Sequence, residues 1–189
     1  MHIDIIGTQP LITHNIQLAD SLNTYTRSIK EISSKRKKTD EDNLEMSRLE
    51  FLGGLYWAEE IGIYMPAENI FRALMQAASI NRAGKKIERG LITHGSRYPL
   101  QFDGPSDPDE LWGGGTSQFV DRRMVNIMGK RIARTRPIFP RWGFSFDCDI
   151  STDVLDVDEF TSIVDQAGSM IGLGDYRRFY GKFTATVTP

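Results

Sequence analysis

Cysteine occurs once in this chain, at Cys148. A single thiol excludes an internal disulfide and any multi-cysteine zinc site, and it fits a reducing cytoplasm. Long apolar runs are missing too: no stretch approaches the roughly 18 residues a membrane span needs. The opening residues Met1-His2-Ile3-Asp4 lack the basic and apolar regions of a secretory leader, so none is expected. There are no internal repeats and no low-complexity tract. Nucleotide-hydrolysing motifs are absent. A dinucleotide fingerprint needs a strand before its glycines and a helix after them, and here that order is reversed. In a phosphate-binding P-loop, Gly-Lys is followed by Ser or Thr; Gly181-Lys182 is followed by Phe183, and the position of the earlier glycine holds Tyr176. No cofactor is therefore expected. Charge of one sign is not in excess either: the net charge is −2 over 189 residues, so bulk charge does not announce nucleic acid. The length suits one domain with an insertion and a sizeable core.

What is present concentrates between residues 168 and 183. A helix pattern leads into Gly168-Ser169-Met170-Ile171-Gly172-Leu173-Gly174-Asp175-Tyr176-Arg177-Arg178-Phe179-Tyr180-Gly181-Lys182-Phe183, and a strand pattern leaves it. Gly172, Gly174 and Gly181 let the backbone take positive φ or approach another segment closely. Arg177, Arg178 and Lys182 place cations beside the exposed N–H groups, with Tyr176, Phe179 and Tyr180 between them. Donors, cations and aromatics together suit a polyanion, of which nucleic acid is the commonest. The competing reading is a plain helix-to-strand turn with glycine as its cap.

Charge is unevenly placed along the chain. Residues 122–141 hold seven Lys/Arg and no acid, whereas residues 143–176 hold eight Asp/Glu and no Lys or Arg. Such asymmetry favours a polyanion partner or head-to-tail self-association, unless the two segments are adjacent strands that neutralise each other.

In chain order, residues 2–7 read as a strand built on Ile3, Ile5 and Ile6. Residues 24–58 read as a basic helical insertion. Lys35, Arg36, Lys37 and Lys38 either grip phosphates or form a solvated helix junction, and Thr39 with Asp40-Glu41-Asp42 reads as a helix cap rather than a metal site. Residues 61–65 form a short strand. Pro66 opens the clearest helix, whose stripe is Ala67, Ile70, Phe71, Leu74, Met75 and Ala78, and Gly84 is expected to stop it. Lys85, Lys86 and Arg89, with Arg82 before them, collect at that helix end as a phosphate grip or as C-terminal caps. Residues 98–102 read as an edge strand, 119–127 and 130–138 as a strand pair around Met128-Gly129, and 144–150 as a half-buried strand. On the second strand of the pair, Ile132, Arg134 and Arg136 share a face. Asp156-x-x-Glu159 reads as a capping box before the helix of Phe160, Ile163, Val164, Ala167 and Ile171. With the insertions removed, the order is β-α-β-β-α-β, an α+β ferredoxin-like (RRM-like) core.

Pro66-Ala67-Glu68-Asn69-Ile70-Phe71-Arg72-Ala73-Leu74, followed by Ala77-Ala78, resembles the start of the first helix in the RAMP superfamily, which includes the RNA-binding backbone subunits of CRISPR effector complexes. The stretch 172–183 resembles the glycine-rich loop of that superfamily, in its place between the second helix and the last strand. The resemblance implies a single ferredoxin-like domain over 1–189, RNA binding and filament-like self-assembly. A stand-alone relative from a phage or mobile element fits the resemblance equally well.

The leading expectation is a non-enzymatic, cytoplasmic, single-stranded nucleic-acid-binding protein, with RNA favoured, that assembles as a homo-oligomer. Lys37, Lys38, Lys85, Lys86, Arg89, Arg134, Arg136, Arg177, Arg178 and Lys182 would contact phosphates. Tyr176 and Tyr180 would stack on bases, while Phe179 and Phe183 would join the core. Two alternatives stand beside it. One is a RAMP-type ribonuclease using His14, His94, Asp40 or Asp42, although spacing assembles no catalytic constellation from them. The other is a sponge for a small anionic ligand or a partner protein.

Overall fold

The structure is a computed structural model, and it describes residues 1–127 and 129–188. Met128, half of the turn expected at Met128-Gly129, lies outside the described residues. The elements in chain order are β1 (His2–Gly7), β2 (Leu11–Ile12), α1 (Thr24–Ser34), α2 (Asp40–Gly54), β3 (Trp57–Ala58), β4 (Gly62–Pro66), α3 (Ala67–Ile80), α4 (Gly84–Gly90), β5 (Leu91–Thr93) and β6 (Arg97–Pro99). There follow α5 (Pro108–Trp112), β7 (Val120–Ile127), β8 (Lys130–Phe139), β9 (Gly143–Ile150), α6 (Val157–Gln166) and β10 (Phe183–Thr188). The architecture is mixed α+β with antiparallel sheets. The chain divides into two compact units: Met1–Leu11, Ala58–Asp103 and Pro140–Pro189 form the first, and Ile12–Trp57 with Gly104–Phe139 form the second.

In the first unit a four-stranded antiparallel sheet runs in the order β10-β1-β9-β5. Strict alternation gives the sheet two different faces. Ile3, Ile5, Phe144, Phe146, Cys148 and Phe183 are buried on one of them. The helices α3 and α6 supply the other half of this core through Ile70, Ala73, Leu74, Ala77, Phe160, Ile163 and Val164. In α3 the buried face is rotated from the expected stripe: Ala73 and Ala77 are buried, whereas Phe71 and Met75 are only half-buried. Burial also pushes the Cys148 thiol up to about 11, so it stays protonated at neutral pH. The opposite face is polar. It carries His2, Asp4 and Ile6 from β1, Ser145, Asp147 and Asp149 from β9, Thr184, Thr186 and Thr188 from β10, and Ile92 from β5.

Two details of this unit differ from the sequence reading. Gly84 does not stop α3; it opens α4, so Lys85, Lys86 and Arg89 lie on a helix of their own. The stop is Arg82, which takes φ +60°, while Ala83 N–H donates to Ala78 O at 2.8 Å and Arg82 N–H to Ser79 O at 3.1 Å. This is the double hydrogen bond of a Schellman cap, with arginine where glycine is usual. At α6 the Asp156 side chain accepts from the Asp158 and Glu159 N–H groups, but Glu159 does not reach back as a capping box requires; its carboxylate takes Lys86 Nζ at 2.7 and 2.9 Å.

The second unit combines the basic insertion with a second one that the sequence reading had counted among the strands of the core. The pair α1 and α2 forms a helical hairpin. The Thr39 side chain and the Asp42 carboxylate close a reciprocal capping box at the start of α2. β7 and β8 pair antiparallel from Val120↔Pro137 to Ile127↔Lys130. Phe51 of α2 meets Trp112 of α5 at 5.4 Å between centroids, and Phe119 meets Phe139 at 6.1 Å. The basic β8 and the acidic β9 therefore belong to different sheets and do not neutralise each other as strand neighbours. The four residues 35–38 between α1 and α2 are all exposed. Limited trypsin digestion is expected to cut after Arg36, Lys37 or Lys38 before any other position, because exposed interhelical turns are the preferred sites of nicking. First cleavage elsewhere, read by mass spectrometry, would contradict this placement.

Candidate nucleic-acid interface

The loop from 172 to 182 is held from both sides. A π-helical turn, Ala167–Ile171, carries α6 into it, and Gly172 (φ +78°) closes that turn through its N–H to Ala167 O at 2.7 Å. Inside the loop, Leu173 is buried and its N–H donates to Gly181 O at 2.9 Å. Gly181 N–H donates to Pro10 O at 2.8 Å, and Lys182 O accepts from Thr8 and Gln9 N–H at 2.8 and 3.2 Å. Gly181 has φ +70°, and a Cβ there would sit 1.9 Å from Leu173 O. The glycine at 181 is thus required by conformation and by close approach together.

On this scaffold Arg177 donates from Nη1 to Gln76 Oε1 of α3 at 2.9 Å, and Lys182 Nζ donates to Met170 O at 2.7 Å. Burial pushes the Lys182 ammonium below its ordinary value, and the neighbouring Arg177 charge adds to that shift. Among the described residues no carboxylate forms an ion pair with Arg177, Arg178 or Lys182. The first unit holds ten Lys/Arg against fourteen Asp/Glu, so these three cations stand out from an acidic background. Arg177 and Lys182, neighbouring cations with neutral oxygen partners and no described carboxylate paired to them, make a place where an anion is stabilised.

Phe183 is buried as expected, whereas Phe179 is 65 % exposed rather than in the core. The reason is local. Tyr176 takes φ +51°, and the N–H groups of Phe179 and Tyr180 both donate to its carbonyl, at 2.9 and 3.1 Å, forming a tight turn. That turn leaves Leu173 as the inward residue of the loop. The Arg178 guanidinium lies over the Phe179 ring at 5.7 Å from its centroid. Tyr176 and Tyr180 are half-buried and engaged with neighbours.

The other expected contacts fall elsewhere. On α4, Lys85 and Arg89 are exposed, while Lys86 is bound to Glu159. Lys37 is exposed, and Lys38 Nζ donates to Lys35 O at 3.3 Å. Arg134 donates to the carboxylate of Glu50 at 2.5 Å, and the same carboxylate accepts from Thr135 N–H at 2.9 Å; Glu50 is buried, so this arginine completes a core contact. Arg136 is half-buried beside it in sequence and engaged as well. Of the ribonuclease candidates, Asp42 is occupied by the capping box and by Lys35 Nζ at 2.5 Å. His94 Nε2 pairs with Asp149 Oδ2 at 2.8 Å on the polar sheet face. His2, which the sequence reading passed over, pairs there with Asp147 at 2.7 Å; this contact raises the imidazole and lowers the carboxyl from their ordinary values. Among the described residues no group of three or more His, Cys, Asp or Glu is placed to hold a metal ion. No described helix is long and apolar enough to cross a membrane.

No protein-family model matches the chain, and no curated protein matches it either.

Proposed function

We propose that the protein binds single-stranded nucleic acid, with RNA favoured, by capturing phosphates at the glycine-rich loop, and that it does so without cleaving the strand. The observation that carries this reading is the pair Arg177 and Lys182: neighbouring cations, fixed by Gln76 Oε1 and Met170 O, with no carboxylate among the described residues in an ion pair with either. A phosphodiester bridging them would relieve their repulsion and restore favourable surroundings to the partly buried ammonium. Lys85 and Arg89 on α4, which follows the Gln76-bearing helix in the chain, would extend the electrostatic footprint.

The reading includes a ferredoxin-like core and kinship with the RAMP superfamily. The ferredoxin-like part is supported by the strand order β10-β1-β9-β5 combined with the chain order β1-α3-β5-β9-α6-β10, and the kinship rests on the resemblance of residues 66–78 and 172–183. Binding is assigned to the loop rather than to the polar sheet face. That face presents Asp4, Asp147 and Asp149, no Lys or Arg, and no stacking ring apart from histidine, so it repels phosphate where an RRM sheet would attract it. Self-association belongs to the proposal through the separation of the basic β8 and the acidic β9 into different sheets.

The test is titration of a fluorescent 20-nucleotide single strand across a range of salt concentrations, with sedimentation of the same mixtures. Affinity falling linearly on a log–log plot against salt, with larger species on a longer strand, is the expected result. A protein that stays monomeric and shows no salt-dependent binding would leave the loop as a small-anion or protein site.

A further inference from the structure

We infer that Phe179 is the platform on which a base of the bound strand stacks, so that the loop selects unpaired nucleobases over duplex and over bare polyphosphate. This rests on the nucleic-acid reading above and adds to it the part of the ligand that the cations do not touch. A phenyl ring 65 % exposed gives up the burial that normally places phenylalanine in a core, and the same loop already fills its inward position with Leu173. The exposure is built rather than incidental, because the Tyr176 turn fixes the backbone at Phe179 with two hydrogen bonds to one carbonyl. The Arg178 guanidinium against the ring adds a second flat group with which a base can stack. Arg177 is two residues away, so the two Cα atoms are at most about 7 Å apart along the chain and the cation and the ring belong to one short loop. Every nucleobase has a face to offer, so the platform discriminates single strands from duplexes without reading sequence. Tyr176 and Tyr180, the stacking residues expected from sequence, are half-buried and less available for this contact.

The experiment uses the full chain with four probes: a 12-nucleotide single strand, the same strand made abasic throughout, a 12-base-pair duplex and inorganic polyphosphate. Phe179→Ala is expected to weaken binding of the normal single strand about tenfold, to leave the three other probes within about twofold, and to leave the salt slope unchanged, since no charge is removed. Phe179→Trp is expected to keep the affinity for the single strand, with its indole emission quenched on binding when corrected for the three native tryptophans. Unchanged single-strand affinity in Phe179→Ala, or an equal loss with the abasic strand and polyphosphate, would overturn the stacking assignment and leave phosphate capture standing. Failure of the unaltered protein to bind any single strand would overturn both.

Discussion

Replacing Arg177 and Lys182 together by alanine is expected to lower the affinity for a single strand about a hundredfold at fixed low salt. On the proposed function each residue would supply a charge-assisted contact to phosphate worth about 1.5 kcal/mol, or roughly a factor of ten. The slope of log affinity against log salt should flatten by about 1.4, twice the value of about 0.7 for one neutralised phosphate on a single strand. The loss should be similar for strands of different sequence, because phosphates carry no base information. Folding should be little affected: the variant deletes one hydrogen bond to a glutamine side chain and one to a backbone carbonyl, and it removes a repulsion between two cations. A sequence-selective loss with an unchanged slope would contradict the phosphate reading.

Gly181→Ala is expected to cost about 3–5 kcal/mol, lowering the midpoint of thermal unfolding by about 10 °C and abolishing binding through loss of the loop. Two penalties add. The residue sits at φ +70°, and its new methyl would lie 1.9 Å from Leu173 O, a backbone atom of the residue whose N–H donates to Gly181 O. Relief requires breaking the hydrogen bond from Leu173 N–H to Gly181 O or the one from Gly181 N–H to Pro10 O, and either movement shifts Lys182 at the next position. A midpoint within about 2 °C of the unaltered protein, measured by calorimetry, would show that the loop yields without cost.

The sequence announced elements where one physical signal dominated. The alternation in β9 and β10 and the stripe of α6 are single-period patterns that predicted their buried faces, while in α3 the large side chains Phe71 and Met75 drew the expected stripe away from the buried Ala73 and Ala77. The Thr39 cap was legible because its acids fill the first turn. β5 was not, since three residues are too few to display a period, although Leu91 and Thr93 point inward beside Ile92 outward. The end of α3 was misplaced because the cap falls on Arg82, and nothing in an arginine advertises positive φ. The strands β7 and β8 were visible, but their membership of the second unit is a tertiary fact that pattern does not encode. At the candidate interface the glycines and cations were legible, since they are adjacent in sequence. Gln76 was not: it is 101 residues from Arg177 and looks like any exposed helix position. Phe179 was misread because hydrophobicity alone assigns phenylalanine to a core, whereas turn geometry decided its direction.

The hydrogen bond from Thr13 N–H to Pro137 O bears on how the chain finds its own sheet. Ile5 and Phe144 are register partners 139 residues apart, so β1 leaves the ribosome long before β9 exists. At about 5–20 residues per second that wait is roughly 7–30 s. The second unit ends at Phe139, before β9 begins at Gly143. Once it folds, Thr13 lies against Pro137, and the free chain between Ile5 and Phe144 shrinks to about 15 residues, which lowers the entropy of closing β1 onto β9 by about 2 kcal/mol. The inserted unit, once folded, therefore acts as a staple that turns a strand pair 139 residues apart in sequence into a nearly local one.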